Sequence, residues 1–272
     1  MPELPEVETI ARDLAPRLTG RRVTAVDVHH ADVLAGDPDA VTEELPGRRI
    51  ADVGRRGKNV VLRLDDDARL VVNLGMTGRL VTGDAPRAHE LGHVAVRFRL
   101  DDGRTLLYDD TRRFGRIERL GPEAWQRRDA ELGIEPLSDD FTADALRTLT
   151  RASRTPIRSL LLDQYRVAGV GNIYALEALF RAGVRPTRRS HRLTRDEAAR
   201  LRDGLREVLA RAIEHRGTTF SDYRDANGEA GGFEPLLKVY GRVGEPCTVC
   251  GTPIKRTVLS NRSAFYCPDC QR

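Results

Sequence analysis

The chain has 272 residues, 40% of them apolar, and Lys plus Arg outnumber Asp plus Glu by 45 to 41, a formal net charge of +4. That length buries at least one good core and more naturally makes two domains with a smaller appendage, which excludes a purely structural peptide. No run approaches the roughly 20 apolar residues of a membrane span, and Met1 leads directly into charged sequence without an apolar signal region, so a soluble, cytoplasmic protein is expected.

The first element is a helix that places Val7, Ile10, Leu14 and Leu18 on one face, with Pro5 at an early position and Gly20 as a stop. Short β-type runs follow at Arg22–Val28, Asn59–Leu64, Leu70–Leu74, His93–Leu100 and Thr105–Tyr108. The last two flank Asp101-Asp102-Gly103-Arg104, a good hairpin turn, and the alternation of Val94, Val96, Phe98 and Leu100 predicts one buried face. Residues 1–120 therefore read as a β-sandwich or flattened barrel carrying one leading helix, the N-terminal half of an α+β, multidomain chain.

After Gly121-Pro122 the pattern turns helical, with a polar connection around Trp125–Asp139. Thr142–Ala152 predicts one helix, and Thr155-Pro156 starts another that carries Ile157, Leu160 and Leu161. A glycine-punctuated turn at Val167–Tyr174 opens a helix over Ile173–Arg181, and Thr194 with Glu197 forms a capping-box pattern ahead of a face made by Leu201, Leu205, Val208, Leu209 and Ile213. The turn Gly169-Val170-Gly171-Asn172 has two readings. Its free N–H groups and the helix dipole suit an anion such as a DNA phosphate, or it is a tight helix-turn-helix corner with an N-cap. Residues 132–232 form the expected helical domain, and the Gly-, Ser-, Thr- and Asp-rich stretch Gly217–Phe233 at its end reads as a mobile loop.

The tail, residues 238–272, holds six basic residues, Lys238, Arg242, Lys255, Arg256, Arg262 and Arg272, against Glu245 and Asp269. A small basic module on a neutral body suits phosphate binding, although a merely solvated tail has the same composition. All four cysteines lie here, as Cys247-x2-Cys250, 16 intervening residues, and Cys267-x2-Cys270. In a reducing compartment two such knuckles present four thiolates to one structural Zn2+, whereas a redox dithiol leaves the second pair unexplained. Thr257–Phe265 then reads as a metal-held hairpin with Arg262 near its tip, either a solvated turn residue or one aimed by the metal.

Chemistry is suggested by Met1-Pro2-Glu3-Leu4-Pro5-Glu6. Pro2 is small, so removal of Met1 leaves a secondary amine, and an α-amine titrates near about 8. Attack of that amine on a sugar C1′ displaces the base and leaves an iminium that cannot shed its charge by deprotonation. The cation acidifies the C2′ proton and permits β-elimination of the 3′ phosphate, with Glu3 and Glu6 available to move protons. Taken alone, the stretch is also an ordinary acidic helix start.

Other segments decide between these readings. The opening at residues 1–9, Gly57-Lys58-Asn59, Asn73–Gly78, Asp110–Gly115, Asp163-Gln164, Val167–Ala175, Val239–Arg242, Glu245–Cys247 and Phe265–Gln271 together resemble the bacterial formamidopyrimidine-DNA glycosylase family, in order and over the whole chain. The resemblance implies an N-terminal catalytic sandwich, a helical helix-two-turn-helix domain and a zinc-ribbon hairpin finger. It implies Pro2 as Schiff-base nucleophile, Glu3 as acid-base residue, Lys58 as proton donor for β-elimination, and Arg262 as the finger arginine that grips phosphates and assists δ-elimination. Met76, Arg112 and Phe114 match the family's inserted triad. Met is a deformable filler, Phe a wedge between base steps, and Arg a donor to the orphaned cytosine. Asn172 becomes an expected phosphate contact, supported by Arg154 and Arg158, and Thr218–Phe233 corresponds to the loop that closes over the everted base.

Three departures bear on DNA affinity: Leu91 and Ser153 stand where basic residues are common, and Asn261-Arg262-Ser263 replaces a more glycine-rich finger tip. The implied activity is a monomeric glycosylase and abasic-site lyase acting on double-stranded DNA with oxidised purines or abasic sites, without a nucleotide cofactor, associated with the bacterial nucleoid. Two alternatives are an endonuclease VIII-type enzyme preferring oxidised pyrimidines and a non-catalytic zinc-ribbon DNA-binding protein. Leu4-Pro5 and the Met76, Arg112, Phe114 set favour the purine branch, and the binder assigns no purpose to a processed Pro2.

Overall fold

The apolar stripe at the start of the chain forms helix α1 (Leu4–Leu18), which buries Val7, Ile10, Leu14 and Leu18 completely and leaves through Gly20 at φ +85°. The computed structural model describes residues 2–272 and divides into two units. One runs up to Glu131 and includes Ile213–Glu234; the other combines Leu132–Ala212 with Pro235–Arg272.

In the first unit the strands are β1 (Val23–Val28), β2 (Ile50–Arg56), β3 (Asn59–Leu64), β4 (Arg69–Asn73), β5 (Arg79–Thr82), β6 (Val94–Leu100), β7 (Thr105–Asp109) and β8 (Arg116–Leu120), with a short helix α2 (Pro38–Thr42) after β1. They make two four-stranded sheets, β1-β6-β7-β5 and β2-β3-β4-β8, with antiparallel pairing throughout. One core joins both sheets and α1: Val60, Leu62, Leu70 and Val72 from one sheet, Val96, Phe98, Leu106 and Tyr108 from the other. This is the expected sandwich with a leading helix.

The alternation in β6 holds for Val96, Phe98 and Leu100, but the register shifts between Val94 and Val96. The extra residue, Ala95, is buried and Val94 is only half-buried, the usual consequence of a bulge that re-aims the strand end. Strands β2, β5 and β8 escape a reading by alternation: Asp52 and Gly54 break up β2, Glu118 and Arg119 separate Ile117 from Leu120 in β8, and β5 is only four residues long. The polar stretch after Gly121 is in part helix α3 (Pro122–Glu131), which buries no residue and so leaves no apolar period to find.

The second unit contains α4 (Ala143–Arg151), α5 (Ile157–Leu162), α6 (Asn172–Ala182) and most of α7 (Arg195–Glu214), followed by the hairpin β9 (Lys255–Leu259) and β10 (Arg262–Tyr266). Thr142 caps α4 by accepting from the Ala145 N–H, and Thr194 and Glu197 form the expected reciprocal box ahead of α7. Gly169, at φ +82°, lets the α5–α6 connection turn, and Gln164 secures it by accepting from the Gly169 N–H and donating to the Val170 carbonyl. Among the described residues no helix is long and apolar enough to cross a membrane.

Candidate functional site

Two groups of predicted residues lie in the first unit. At the head of α1, Pro2 and Glu3 are buried. The Glu3 N–H donates to one Glu6 carboxylate oxygen at 2.8 Å, and the other oxygen accepts from the Thr218 N–H at 2.7 Å. Glu6 is thus a buried clamp that fixes the start of the chain, with both oxygens already taken by N–H donors. The segment carrying Thr218 is held at several points: Tyr223 donates to the Arg216 carbonyl, Ala226 is in the core, and Arg216 pairs with Asp13 and with Asp225, whose side chain is 0% exposed. The stretch read from composition as a mobile loop is a loop held at these points, with Phe220, Ser221 and Asp222 exposed at its tip.

The second group occupies three turns that share hydrogen bonds. Lys58 follows Gly57 (φ +58°) in the two-residue turn between β2 and β3 and is half-buried. Arg55 ties this turn to α1, donating to Glu8 at 2.9 Å and to the Gly57 carbonyl at 2.9 Å. Met76 sits on the turn after β4 and is 37% exposed; Phe114, on the β7–β8 connection, is 55% exposed, with the Arg112 guanidinium 4.6 Å from its ring centroid. Gly75 is at φ +57°, and a Cβ there would lie 2.5 Å from the Gly115 nitrogen, so the two connections touch backbone to backbone.

Buried Asp110 joins them. Its carboxylate accepts from the Thr77 hydroxyl at 2.5 Å, the Gly115 N–H at 2.9 Å, the Tyr108 hydroxyl at 3.0 Å and the Arg112 N–H at 3.3 Å. Burial pushes this carboxyl up, but Thr77, the Gly115 N–H and Tyr108 outweigh it and hold the group below the usual range. Thus two exposed apolar side chains and an arginine project from a rigid base at one place, a form suited to insertion into stacked bases. In the sequence Asp110 is only the first residue of the Asp110–Gly115 motif; nothing local reveals that it orders both turns.

In the second unit Arg154 and Arg262 are exposed, while Arg158 is 1% exposed. Arg158 donates twice to Asn172 Oδ1, at 3.0 and 2.7 Å, and to the Leu259 carbonyl at 2.9 Å; Asn172 Nδ2 donates to the Ser263 carbonyl at 3.0 Å. Both bonds to the hairpin flank the turn Ser260-Asn261, where φ is +45° and +59°, which presents Arg262. All these acceptors of Arg158 are neutral. Burial and then the nearby Arg262 charge depress its affinity for the proton, which marks a spot that an anion would stabilise. Ser153 is buried against Thr155 at 2.8 Å, so the position is used for packing.

The four cysteine sulfurs lie within 4.8 Å of one another, and the separations of 3.9 Å for Cys247–Cys270 and 3.4 Å for Cys250–Cys267 are far above a disulfide bond. Zn–S bonds of about 2.3 Å in a tetrahedron require sulfurs somewhat under about 4 Å apart, so the set fits one structural zinc. The Val249 N–H points to the Cys247 sulfur and the Cys270 N–H to that of Cys267, the orientation that supports thiolates. Buried Glu177 on α6 accepts from the N–H groups of Lys238, Val239 and Tyr240, which fixes the chain entering the finger. Burial raises its carboxyl above the usual range against the pull of those N–H donors.

Comparison with known proteins gives three family matches in chain order: the formamidopyrimidine-DNA glycosylase N-terminal domain over residues 1–117, its H2TH domain over 132–224, and a zinc finger found in FPG and IleRS over 244–272. Formamidopyrimidine-DNA glycosylase of Solibacter usitatus is 45% identical over 276 aligned residues, covering all of both chains, and that of Chloroflexus aggregans is 44% identical over all of this chain and 98% of its own. Among solved structures, the MutM (FPG) protein of Thermus thermophilus superposes with a TM-score of 0.88 at 42% identity, covering 99% of this chain and 98% of that one. A Lactococcus lactis FPG mutant in complex with a Fapy-dG containing DNA gives 0.90 at 33% identity over the whole of both chains.

Proposed function

The chain belongs to the formamidopyrimidine-DNA glycosylase family, and from that premise we propose that it is a bifunctional glycosylase and abasic-site lyase of base excision repair, releasing 8-oxoguanine and ring-opened purines from double-stranded DNA. The observation that carries this reading is the alignment with the Solibacter enzyme over the full length of both chains, which includes the Pro2-Glu3 start. The Lactococcus protein's complex with Fapy-dG DNA supports the choice of ring-opened purines. It acts as a monomer in the bacterial cytoplasm, at the nucleoid.

With residue 1 removed, Pro2 offers a secondary amine, since a nitrogen acylated by a preceding residue would be an unreactive amide. The amine attacks C1′, the N-glycosidic bond breaks, and the base leaves with a proton. Glu3, held at the helix start, protonates the sugar ring oxygen and assists its opening. Loss of the C2′ proton to a base converts the iminium to an enamine, whose electron pair expels the 3′ phosphate and restores a conjugated iminium, with Lys58 supplying a proton to the departing side. A second elimination breaks the bond to the 5′ phosphate, and hydrolysis of the imine frees Pro2 and leaves a one-nucleotide gap. Arg262 steadies the phosphates through both eliminations. Arg154 and the spare Asn172 N–H add phosphate contacts, and Arg158 contributes by fixing the turn and by its buried charge.

Eversion of the damaged nucleotide costs a few kcal/mol, which insertion of Met76 and Phe114 and donation from Arg112 to the orphaned base repay. The Phe220 tip closes over the everted base. The zinc ion, held by Cys247, Cys250, Cys267 and Cys270, has no part in bond breaking and secures the hairpin that carries Arg262.

Borohydride trapping on an abasic duplex tests the reading. A covalent adduct that disappears in Pro2→Gly is expected, and tight binding without any trapped adduct would instead identify a non-catalytic binder. Excision rates on duplexes carrying 8-oxoguanine or thymine glycol in one context decide between purine and pyrimidine preference. A thymine glycol rate well above that for 8-oxoguanine would overturn the assignment.

A further inference from the structure

Between the turn that carries Lys58 and the turn that carries Met76 lies a side-chain connection that none of the roles above uses. Asn59 and Asn73 face each other as register partners at the ends of β3 and β4. The Asn73 carboxamide is engaged at both ends: Oδ1 accepts from the Gly75 N–H at 3.0 Å, and Nδ2 donates to Asn59 Oδ1 at 3.0 Å and, at the limit of 3.5 Å, to the Lys58 carbonyl. The Asn59 Nδ2 in turn donates to the Arg56 carbonyl at 3.2 Å, across the Gly57-Lys58 turn. A carboxamide has an acceptor at one atom and donors at the other, so the two amides chain head to tail in one direction only.

We propose that Asn73 is a positioning residue that couples insertion of Met76 to placement of Lys58, with Asn59 as the relay. The Gly75 N–H fixes the Met76 turn on one side of Asn73, and the Gly75 backbone is wedged against Gly115, so displacement of Met76 on entering the base stack cannot be absorbed there. On the other side Asn59 and the Lys58 carbonyl receive the same amide, and Arg55 on β2, itself anchored on Glu8 of α1, holds the Gly57 carbonyl, so movement reaches Lys58. Filling of the vacated stack and readiness for elimination are in this way linked, and the Schiff base collapses to strand scission chiefly when the lesion has been everted. The inference rests on the proposed function, since it takes Met76 as the inserted filler and Lys58 as the proton donor for elimination.

Asparagine and aspartate separate the two arms. Asn73→Asp keeps an acceptor for the Gly75 N–H but removes the donor and sets a carboxylate oxygen against Asn59 Oδ1. Asn59→Ala removes the relay without touching the Met76 turn. Single-turnover reactions on an 8-oxoguanine duplex are followed for base release, for borohydride-trapped adduct and for strand scission. In Asn73→Asp, loss of about one hydrogen bond's worth of placement slows scission about tenfold, slows base release less than about threefold, and makes the trapped adduct accumulate. Asn59→Ala shifts the same ratio in the same direction, and Asn73→Ala, which loses both arms, slows base release as well. The double variant Met76→Ala, Asn73→Asp shows a smaller scission defect than the product of the two single effects.

The proposal is overturned if both Asn73→Asp and Asn59→Ala leave the ratio of scission to base release where it is in the unaltered protein, whether both steps fall together or neither does. Should Asn73→Asp fail to fold, Asn59→Ala alone decides by the same ratio. An unaltered protein that forms no trapped adduct on an abasic duplex refutes the proposed function itself, a result distinct from an active enzyme whose variants show an unchanged ratio.

Discussion

Replacing Asp110 by Asn tests whether the insertion group depends on one buried carboxylate. The substitution preserves shape but removes the negative charge and turns one acceptor atom into a donor. The amide oxygen can still serve the Gly115 N–H and Tyr108 hydroxyl, which places the NH2 against the Thr77 hydroxyl at a former distance of 2.5 Å and near the Arg112 N–H at 3.3 Å. Thr77 Oγ1 already accepts from the Arg112 N–H at 3.2 Å, so it cannot fully answer the new donor. Exchange of charge-assisted for neutral bonds, with one donor facing donors, costs about 2–3 kcal/mol. For a unit of this size that lowers the Tm by about 4–12 °C. Because the folded carboxyl is held below its unfolded value of about 3.9, its contribution is fully present above that pH and is lost as pH falls through the folded value. The Tm difference between Asp110→Asn and the unaltered protein is therefore constant at neutral pH and shrinks below about pH 4. The readouts are thermal unfolding across pH and single-turnover excision of 8-oxoguanine beside trapping on a pre-formed abasic site. Excision falls more than trapping, since the abasic substrate makes smaller demands on insertion. An unchanged Tm with unchanged excision, or equal losses on both substrates, refutes the role given to Asp110.

Met76→Ala, at an exposed position, leaves Tm within experimental scatter and lowers 8-oxoguanine excision about tenfold while sparing abasic-site trapping, because eversion loses its filler; equal losses on both substrates contradict the filling role. Cys250→Ser loses zinc and strand scission together, read by metal analysis and gel assay, since a hairpin without its ion cannot hold Arg262. Full activity in a metal-free variant rejects that coupling. Arg216→Met strands Asp225 and Asp13 and destabilises the first unit by about 2–3 kcal/mol, less than a fully buried pair because Arg216 is partly exposed. An unchanged denaturant midpoint would show that the loop is not held by this pair.

Much of the fold is legible where the information is short-range. The 3.6-residue stripe of α1, the Asp102-Gly103 turn, the Thr194–Glu197 box and the paired cysteine knuckles each lie within a few positions and stand as elements in the structure. Strand β2, with Asp52, Gly54 and two arginines, and helix α3, with no buried residue, lack such a period and emerge only because neighbouring strands and β8 receive them. The segment 217–233 is a loop, as its composition indicates, but that Tyr223 and Ala226 pack into a core formed by distant parts of the chain is not visible locally.

For the candidate site, the residue types and their order came from local motifs, and resemblance assigned them roles. Which arginine is free to meet a phosphate was decided by tertiary structure: Arg154 and Arg262 are exposed, whereas Arg158 is spent on Leu259, 101 positions away, and on Asn172, whose own amide reaches Ser263 across 91. Glu6 has the look of a proton donor in sequence and becomes a clamp through Thr218, 212 positions on. Amphipathic periods and ligand spacings are properties of a few consecutive residues, and so the chain alone determined its amphipathic helices and its zinc knuckles. A hydrogen-bond partner 91 to 212 positions distant exists only once packing brings it near, and so the folded protein alone decided which polar groups are occupied and which remain to act.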